Sequence, residues 1–193
     1  MPSVKRVAVI YATAHGSTRE IAMRIAARLT ERDLLVDVAA AADDADVRPY
    51  DAFVIGSAIH DQAWLPAAIG FVRYHAAVLD TRPVWLFSVG MPDAMAPRLR
   101  KWAALEGPKV TEPLRTRIHS RGEHLFSGEV RAEHLPAFGR LIFRMAGGHF
   151  GDFRNDDEID RWADGIAAAL GATEPATGTI CSSDAPRPAR RPE

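Results

Sequence analysis

A run of hydroxyl side chains around one glycine is the feature of the sequence that most clearly suggests chemistry. It reads Thr13-Ala14-His15-Gly16-Ser17-Thr18 and lies between an apolar run and an amphipathic segment. Backbone N–H groups and the dipole at a helix N-terminus favour an anion, and glycine lets the backbone curl closely around it. The pattern therefore predicts a phosphate-binding loop. Ser17 or Thr18 alone would also satisfy the simpler interpretation of a helix N-cap.

The residues missing from this loop narrow the class of phosphate ligand. The loop has neither the Gly-x-Gly-x-x-Gly of dinucleotide folds nor the Gly-Lys-[Ser/Thr] of nucleoside triphosphatases. The preceding strand end, Tyr11-Ala12-Thr13, lacks the paired acids of a receiver domain, and Ser88 lacks the first glycine of a hydrolase elbow, with Leu86 in its place. An uncharged loop lined by hydroxyls favours a monophosphate.

The segments around the loop alternate between strand and helix patterns. Unbroken apolar, β-rich runs predict five strands, and the 3.6-residue apolar period predicts helices between them. The predicted strands are residues 7–12, 34–38, 52–56, 84–89 and 124–130, and the predicted helices are 18–32, 65–79, 157–170 and a further one around 99–104. Right-handed crossovers then give an α/β fold, a doubly wound five-stranded parallel sheet with helices on both faces.

In such a sheet the ligand lies at the carboxyl ends of the strands, where the strand order reverses. Three loops are therefore expected to form one site. The first contributes Thr13, Ala14, His15, Gly16, Ser17 and Thr18; the second contributes Ser57, Ala58, Ile59 and His60; the third contributes Ser88, Val89, Gly90 and Met91.

Several short segments in a fixed order carry a resemblance to a known family. The first loop resembles the FMN phosphate loop of flavodoxins, [Ser/Thr]-x-Thr-Gly-x-Thr, with His15 in place of one hydroxyl. The segments Ile-Gly-Ser-Ala-Ile-His (55–60), Phe-Val-Arg-Tyr-His (71–75), Phe-Ser-Val-Gly (87–90) and Met-Ala-Gly-Gly (145–148) follow. Over residues 4–170 the sequence resembles the menaquinone-dependent protoporphyrinogen dehydrogenase branch of the flavodoxin superfamily.

The resemblance implies a non-covalent FMN, oxidation of a porphyrinogen and delivery of electrons to a quinone. Because the flavin carries the chemistry, no catalytic side chain is predicted. The backbones after strands three and four would approach the two sides of the isoalloxazine ring, with His60 and Trp64 as the nearby candidates for stacking and Trp64 more typical of a core residue. Two alternatives stay open: a flavodoxin-like electron carrier without a substrate of its own, and a sheet that has lost its flavin and binds partners only.

Composition sets the remaining expectations. The 193 residues, 47% of them hydrophobic, predict one domain over 1–172 and a disordered proline-rich tail over 173–193. The single Cys181 excludes an internal disulfide, and with neither a signal peptide nor a membrane span in the sequence we expect a cytoplasmic protein. No histidine spacing predicts a metal site, and His119, His124 and His134 are expected at the surface. The oligomeric state is left open.

The stretch between the fifth strand and the last helix is longer than a flavodoxin connection requires. Residues 94–150 carry ten Lys and Arg against five Asp and Glu, without the aromatic-glycine spacing of an RNA-binding module, so nucleic acid is not expected. Within the connection between the fifth strand and the last helix, a helical wheel of Glu133 to Ala146 has an apolar arc opposite Arg140 and Arg144. The arc predicts either core packing or a helix that contacts the membrane peripherally, near the flavin, where a quinone dissolves.

Overall fold

The computed structural model describes residues 4–91, 94, 110–112, 114–131, 133, 144–145 and 148–172. Its centre is a five-stranded parallel sheet in the order β2-β1-β3-β5-β6. These strands are β1 (Arg6–Ala12), β2 (Leu35–Ala40), β3 (Ala52–His60), β5 (Val84–Gly90) and β6 (Ser120–Ser127). The short β4 (Ala63–Trp64) pairs antiparallel with β3, while β7 (Glu129–Val130) and β8 (Gly151–Asp152) form a separate antiparallel pair. The predicted doubly wound sheet is confirmed.

Helices cover both faces of this sheet. They are α1 (Ser17–Thr30), α2 (Pro66–Leu79) and α3 (Asp156–Ala169). Alternate residues of a strand face opposite sides, so Val7 and Val9 of β1 pack in the core beneath α1 and α3, whereas Ala8 and Ile10 pack in the core beneath α2. This burial on both faces explains why β1 is apolar throughout rather than alternating.

Several element boundaries differ from the prediction. Helix α1 begins at Ser17, directly at the loop glycine, and β3 continues four residues past 56 to His60. The predicted strand 124–130 is two elements, because the chain leaves the sheet at Gly128, whose N–H donates to the carbonyl of Gly90 at 2.9 Å. The loops after β1 and β3 are therefore shorter than predicted, and the break at Gly128 is an additional one.

Of the histidines expected at the surface, His124 is half-buried and has partners. Its Nε2 lies 2.8 Å from Oε1 of Glu158, and its ring packs 4.4 Å from that of Phe126. Its side chain is only 29% exposed. His119 is exposed as predicted. The expectation for His134 lies outside the described residues.

Three further expectations also fall outside the part of the chain that the structure describes. They are the helix around 99–104, the disordered tail over 173–193, and nearly all of the segment 133–146. Of that segment Glu133, Arg144 and Met145 are described, all of them exposed.

Among the described residues, no helix is long and apolar enough to cross a bilayer, and no group of three His, Cys, Asp or Glu is placed to hold a metal ion.

A ladder of ion pairs joins α1 to α3. Arg24 makes a bidentate contact with Asp160 at 2.8 Å, and one helical turn later Arg28 makes the same contact with Asp164 at 2.8 and 2.9 Å. Arg32 also donates to Asp164, at 2.9 Å. The hydrogen bond from Arg28 is the main cause that lowers the pKa of Asp164 below its usual value.

We expect Asp164→Asn to destabilise the protein by about 1 kcal/mol at pH 7, since the pairs are partly solvent-exposed. Because the folded-state pKa is depressed, this stabilisation is present above the ordinary carboxyl pKa of 3.8 and is lost as the pH falls through the lowered value. Urea unfolding of both proteins between pH 7 and pH 3 measures it. Asp44→Asn is the control, at an exposed position with an ordinary backbone and without an ion pair among the described residues. A difference between Asp164→Asn and the parent that does not change with pH would contradict the prediction.

Candidate functional site

The loop between β1 and α1 has the geometry of an anion cradle. Gly16 is the N-cap residue of α1 and has a left-handed backbone, with φ of +100°, and a Cβ built on it would meet nothing within 4 Å. Its N–H donates to Oγ1 of Thr13 at 2.9 Å, which closes the loop, and no side chain caps the helix. Because no side chain caps α1, the backbone N–H groups of its first turn remain as donors for a ligand.

Thr18 supplies a second observation at the same place. Its side chain is completely buried, and its Oγ1 has no hydrogen-bond partner within the described part of the chain. A buried hydroxyl without a partner is costly, by about 1–3 kcal/mol. The Thr18 hydroxyl is therefore a candidate contact for a ligand of this loop.

A cavity of about 180 Å³ opens beside this loop, at the carboxyl ends of the parallel strands. Its lining comes from four segments of the chain. These residues are Ala14, His15, Ser17, Ala58, Ile59, His60, Val89, Gly90, Met91, Gly128, Glu129 and Val130. Most of the lining surface is apolar, which suits a flat aromatic group with few polar contacts.

The structure places the fourteen predicted site residues in three ways. Nine line the cavity: Ala14, His15, Ser17, Ala58, Ile59, His60, Val89, Gly90 and Met91. Thr13, Gly16 and Thr18 shape the adjoining loop. The remaining two, Ser57 and Ser88, are buried beneath the strand ends and use their hydroxyls within the protein.

Sequence reasoning missed the fourth segment, Gly128 to Val130. The sequence predicts one strand through residues 124–130, so the break at Gly128 and the place of these residues on the cavity wall were not expected. Gly128 was the available signal, since an isolated glycine in a strand pattern marks a close backbone approach. A Cβ at this position would lie 2.8 Å from Cγ1 of Val89 and 3.2 Å from Oγ of Ser17, so only glycine lets this segment close against the cavity.

Charged groups lie at the rim of the cavity in pairs. Glu129 accepts from Nε of Arg131 at 2.6 Å, and this hydrogen bond is the main cause that raises the pKa of Arg131. Nδ1 of His60 lies 3.1 Å from Oδ2 of Asp61, at an exposed position. The interior wall is formed by Ile59, Val89 and Val130. The site therefore combines a polar rim with an apolar interior.

Trp64 does not stack in the cavity. Its side chain is 2% exposed, belongs to the core beneath α2 and donates from Nε1 to Oγ of Ser88 at 2.8 Å. The expectation that Trp64 is a core residue is thus the correct one of the two that the sequence offered. His60 remains on the cavity wall.

A loop with the geometry of an anion cradle after the first strand, next to an apolar cavity at the point where the strand order reverses, defines a flavodoxin-like domain. The chain belongs to the flavodoxin domain family, whose model matches residues 8–149. The cofactor of this family is FMN, and the domain is an FMN-binding one.

Two groups of known proteins are similar to this chain. Protoporphyrinogen IX dehydrogenase [quinone] from Escherichia coli strain K12 is 31% identical over 101 residues, which cover 49% of this chain and 56% of that protein. The corresponding protein of Escherichia coli O157:H7 matches equally. The chain therefore spans little more than half the length of these curated relatives.

Solved structures share the fold at low sequence identity. Oxidised flavodoxin 2 from Bacillus cereus has a TM-score of 0.54 and 17% identity, covering 86% of this chain and 99% of that one. Rubredoxin oxygen:oxidoreductase from Desulfovibrio gigas has a TM-score of 0.56 and 16% identity, covering 86% of this chain and 36% of that one. At these identities the likeness establishes the fold alone.

The residues present fit an FMN phosphate. Gly16 leaves the space, the first turn of α1 leaves N–H donors, and the Thr18 hydroxyl lacks a partner in the described residues. The ring would then lie in the apolar cavity next to this loop.

Proposed function

We propose that this protein is an FMN-dependent oxidoreductase that oxidises a porphyrinogen-like substrate and passes the electrons to a quinone. The observation that carries the proposal is the buried Thr18 hydroxyl, which has no partner among the described residues and follows the loop whose Ala14, His15 and Ser17 line an apolar cavity. The partial similarity to the protoporphyrinogen dehydrogenases supports the choice of substrate class.

In the proposed site, Thr13, Gly16, Ser17 and Thr18 hold the phosphate, and the walls from Ala58 to His60 and from Val89 to Met91 hold the ring. Flavin supplies the hydride and electron chemistry when bound, so the protein needs no acid, base or nucleophile of its own. Its residues bind, orient and exclude water. Ser57 and Ser88 lie in the same strand ends, and only their backbones are part of the proposed site.

The rim of the cavity also bears on the substrate class. Met91 is 39% exposed at the mouth, next to the apolar wall, so a large and mostly apolar molecule would find contact area there. A quinone has this character, and so does a porphyrinogen, whose macrocycle is puckered because sp³ methylene bridges join its pyrroles. The proposal includes peripheral contact with the membrane through residues 133–146, since a quinone is dissolved in the lipid, and otherwise a cytoplasmic location.

The test is turnover without a partner protein. The purified chain, loaded with FMN, is mixed under nitrogen with protoporphyrinogen and a menaquinone analogue, and porphyrin formation is followed by fluorescence, with and without anionic vesicles. We expect steady quinone-dependent turnover that vesicles increase, and loss of it in Thr18→Ala at limiting FMN. Arg140→Glu with Arg144→Glu should abolish the effect of vesicles while leaving FMN content unchanged.

A flavodoxin-like electron carrier is the competing function. A carrier would exchange electrons rapidly with a reductase and an acceptor protein and would show no turnover with porphyrinogen and quinone. That combination would overturn the enzyme proposal while retaining FMN binding. A protein that binds no FMN at all would instead match the third alternative, a sheet that only binds partners.

A further inference from the structure

The β3–β4 hairpin, residues 59–64, forms one wall of the candidate FMN site and is a strained element. Ile59 pairs with Trp64 and His60 with Ala63, so the hairpin has only two residue pairs. Both residues of its turn have left-handed backbones without being glycine, Asp61 with φ of +49° and Gln62 with φ of +61°. Two pairs and a strained turn do not hold such a hairpin in place by themselves.

Two buried hydroxyls hold it instead. Oγ of Ser88 accepts the indole N–H of Trp64 at 2.8 Å, and Oγ of Ser57 accepts the backbone N–H of Leu65 at 3.0 Å. The Ser57 hydroxyl in turn donates to the carbonyl of Ala58 at 2.9 Å. Trp64, Ser57 and Ser88 are at most 3% exposed. The base of the hairpin is thus tied to two strands at once.

The register of the sheet explains this arrangement. Ser57 of β3 and Ser88 of β5 are direct neighbours across the strands, so their side chains point to the same face, the one beneath α2. The next residues, Ala58 and Val89, are also register partners, point to the opposite face and line the cavity. One residue of each strand end therefore anchors the hairpin while the next one forms the site.

We propose that Ser57 and Ser88 are positioning residues, which act through Trp64 and Leu65 to hold the β3–β4 hairpin as the wall against which the flavin ring binds. This inference rests on the proposed FMN site. It assigns the two serines a role through the protein rather than by contact of their hydroxyls with the ring. It also predicts that the phosphate and ring ends of the site respond to different substitutions.

The experiment measures affinity for FMN and for riboflavin, which lacks the phosphate, in Ser88→Ala, Trp64→Phe and the double variant. Ser88→Ala leaves a buried indole N–H without an acceptor, and Trp64→Phe removes that donor while keeping an aromatic side chain. Each is expected to weaken both ligands by the same factor, roughly three- to tenfold. The double variant should be no weaker than the weaker single variant, because both changes remove one hydrogen bond.

The control is Ser120→Ala, which removes the hydrogen bond from Ser120 to Glu123. Ser120 begins β6, at the end of the strands opposite the site, so both affinities should stay within about twofold. The hydrogen-exchange rate of the Trp64 indole N–H gives a measurement independent of flavin. Its signal is identified as the one that disappears in Trp64→Phe. In Ser88→Ala this exchange should accelerate by roughly tenfold or more.

The outcomes separate the two proposals. A parent protein that binds neither ligand overturns the FMN site, and the positioning role with it. A parent that binds FMN while both single variants bind within about twofold of it overturns the positioning role alone. Additive losses in the double variant would also overturn it, since the two side chains would then not act through one contact.

Discussion

Replacing Thr18 with alanine is expected to weaken FMN binding roughly tenfold to a hundredfold and to leave riboflavin binding unchanged. A hydrogen bond to a charged phosphate contributes about 1.5–3 kcal/mol, which corresponds to that loss of affinity. The free protein should lose no more than about 1 kcal/mol of stability, because the hydroxyl is buried without a partner among the described residues and its removal relieves a cost. Fluorescence titration and urea unfolding measure the two effects.

The loop glycine gives a companion test with a matched control. Gly16→Val should abolish detectable FMN binding, since valine is strained at a φ of +100° and would fill the space above the loop. Gly171→Val introduces the same kind of strain at φ of +76°, after α3. Both variants should lose similar stability, and only Gly16→Val should lose FMN. Full FMN affinity in Thr18→Ala and Gly16→Val would show that the loop does not bind the phosphate.

The second large effect is expected from Gly56→Ala, which should destabilise the whole domain by about 3 kcal/mol. A methyl group at Gly56 would overlap the ring of Phe87. That ring is fully buried and packs between the rings of Phe126 and Trp162, with centroids 6.0 and 6.1 Å away. The ring therefore has no free space to move into, and interiors tolerate such overpacking poorly.

Gly165→Ala is the control for this prediction. Gly165 lies inside α3, and a Cβ there would meet nothing within 4 Å. Alanine is the better helix former, so this variant should gain about 0.5–1 kcal/mol. Thermal and urea unfolding of the two variants should give shifts of opposite sign. Equal stability of Gly56→Ala and the parent would mean that Phe87 does not cover this glycine in solution.

Much of the cavity wall could be predicted because strand order and loop position follow from local patterns. Residues Ala58 to His60 and Val89 to Met91 were expected after two strands, and they do line the cavity. The segment Gly128 to Val130 was not expected, since a β-rich run does not reveal where the chain leaves the sheet. That point depends on the fit of Gly128 against Val89 and Ser17, which are far away in the sequence.

The roles of Ser57 and Ser88 could not be predicted for a related reason. Both follow a predicted strand and both are hydroxyl residues, so composition and position favour a ligand contact. Which face each side chain takes depends on the register between β3 and β5, and on the presence of Trp64 above them. A hydroxyl that faces a buried indole, as that of Ser88 does, accepts a hydrogen bond within the protein and not from a ligand.

By itself, the sequence determined the alternation of strands and helices and, through its resemblance to flavodoxins, the class of cofactor, and it predicts the phosphate loop. These follow from period, from residue type and from a short contiguous motif, all of which act over a few residues. Only the tertiary structure decided which side chains meet: the buried Thr18 hydroxyl without a partner among the described residues, the hairpin held by Ser57 and Ser88, and the fourth wall at Gly128. These depend on register and on packing between distant segments, where one residue more or less in a strand turns each side chain to the other face.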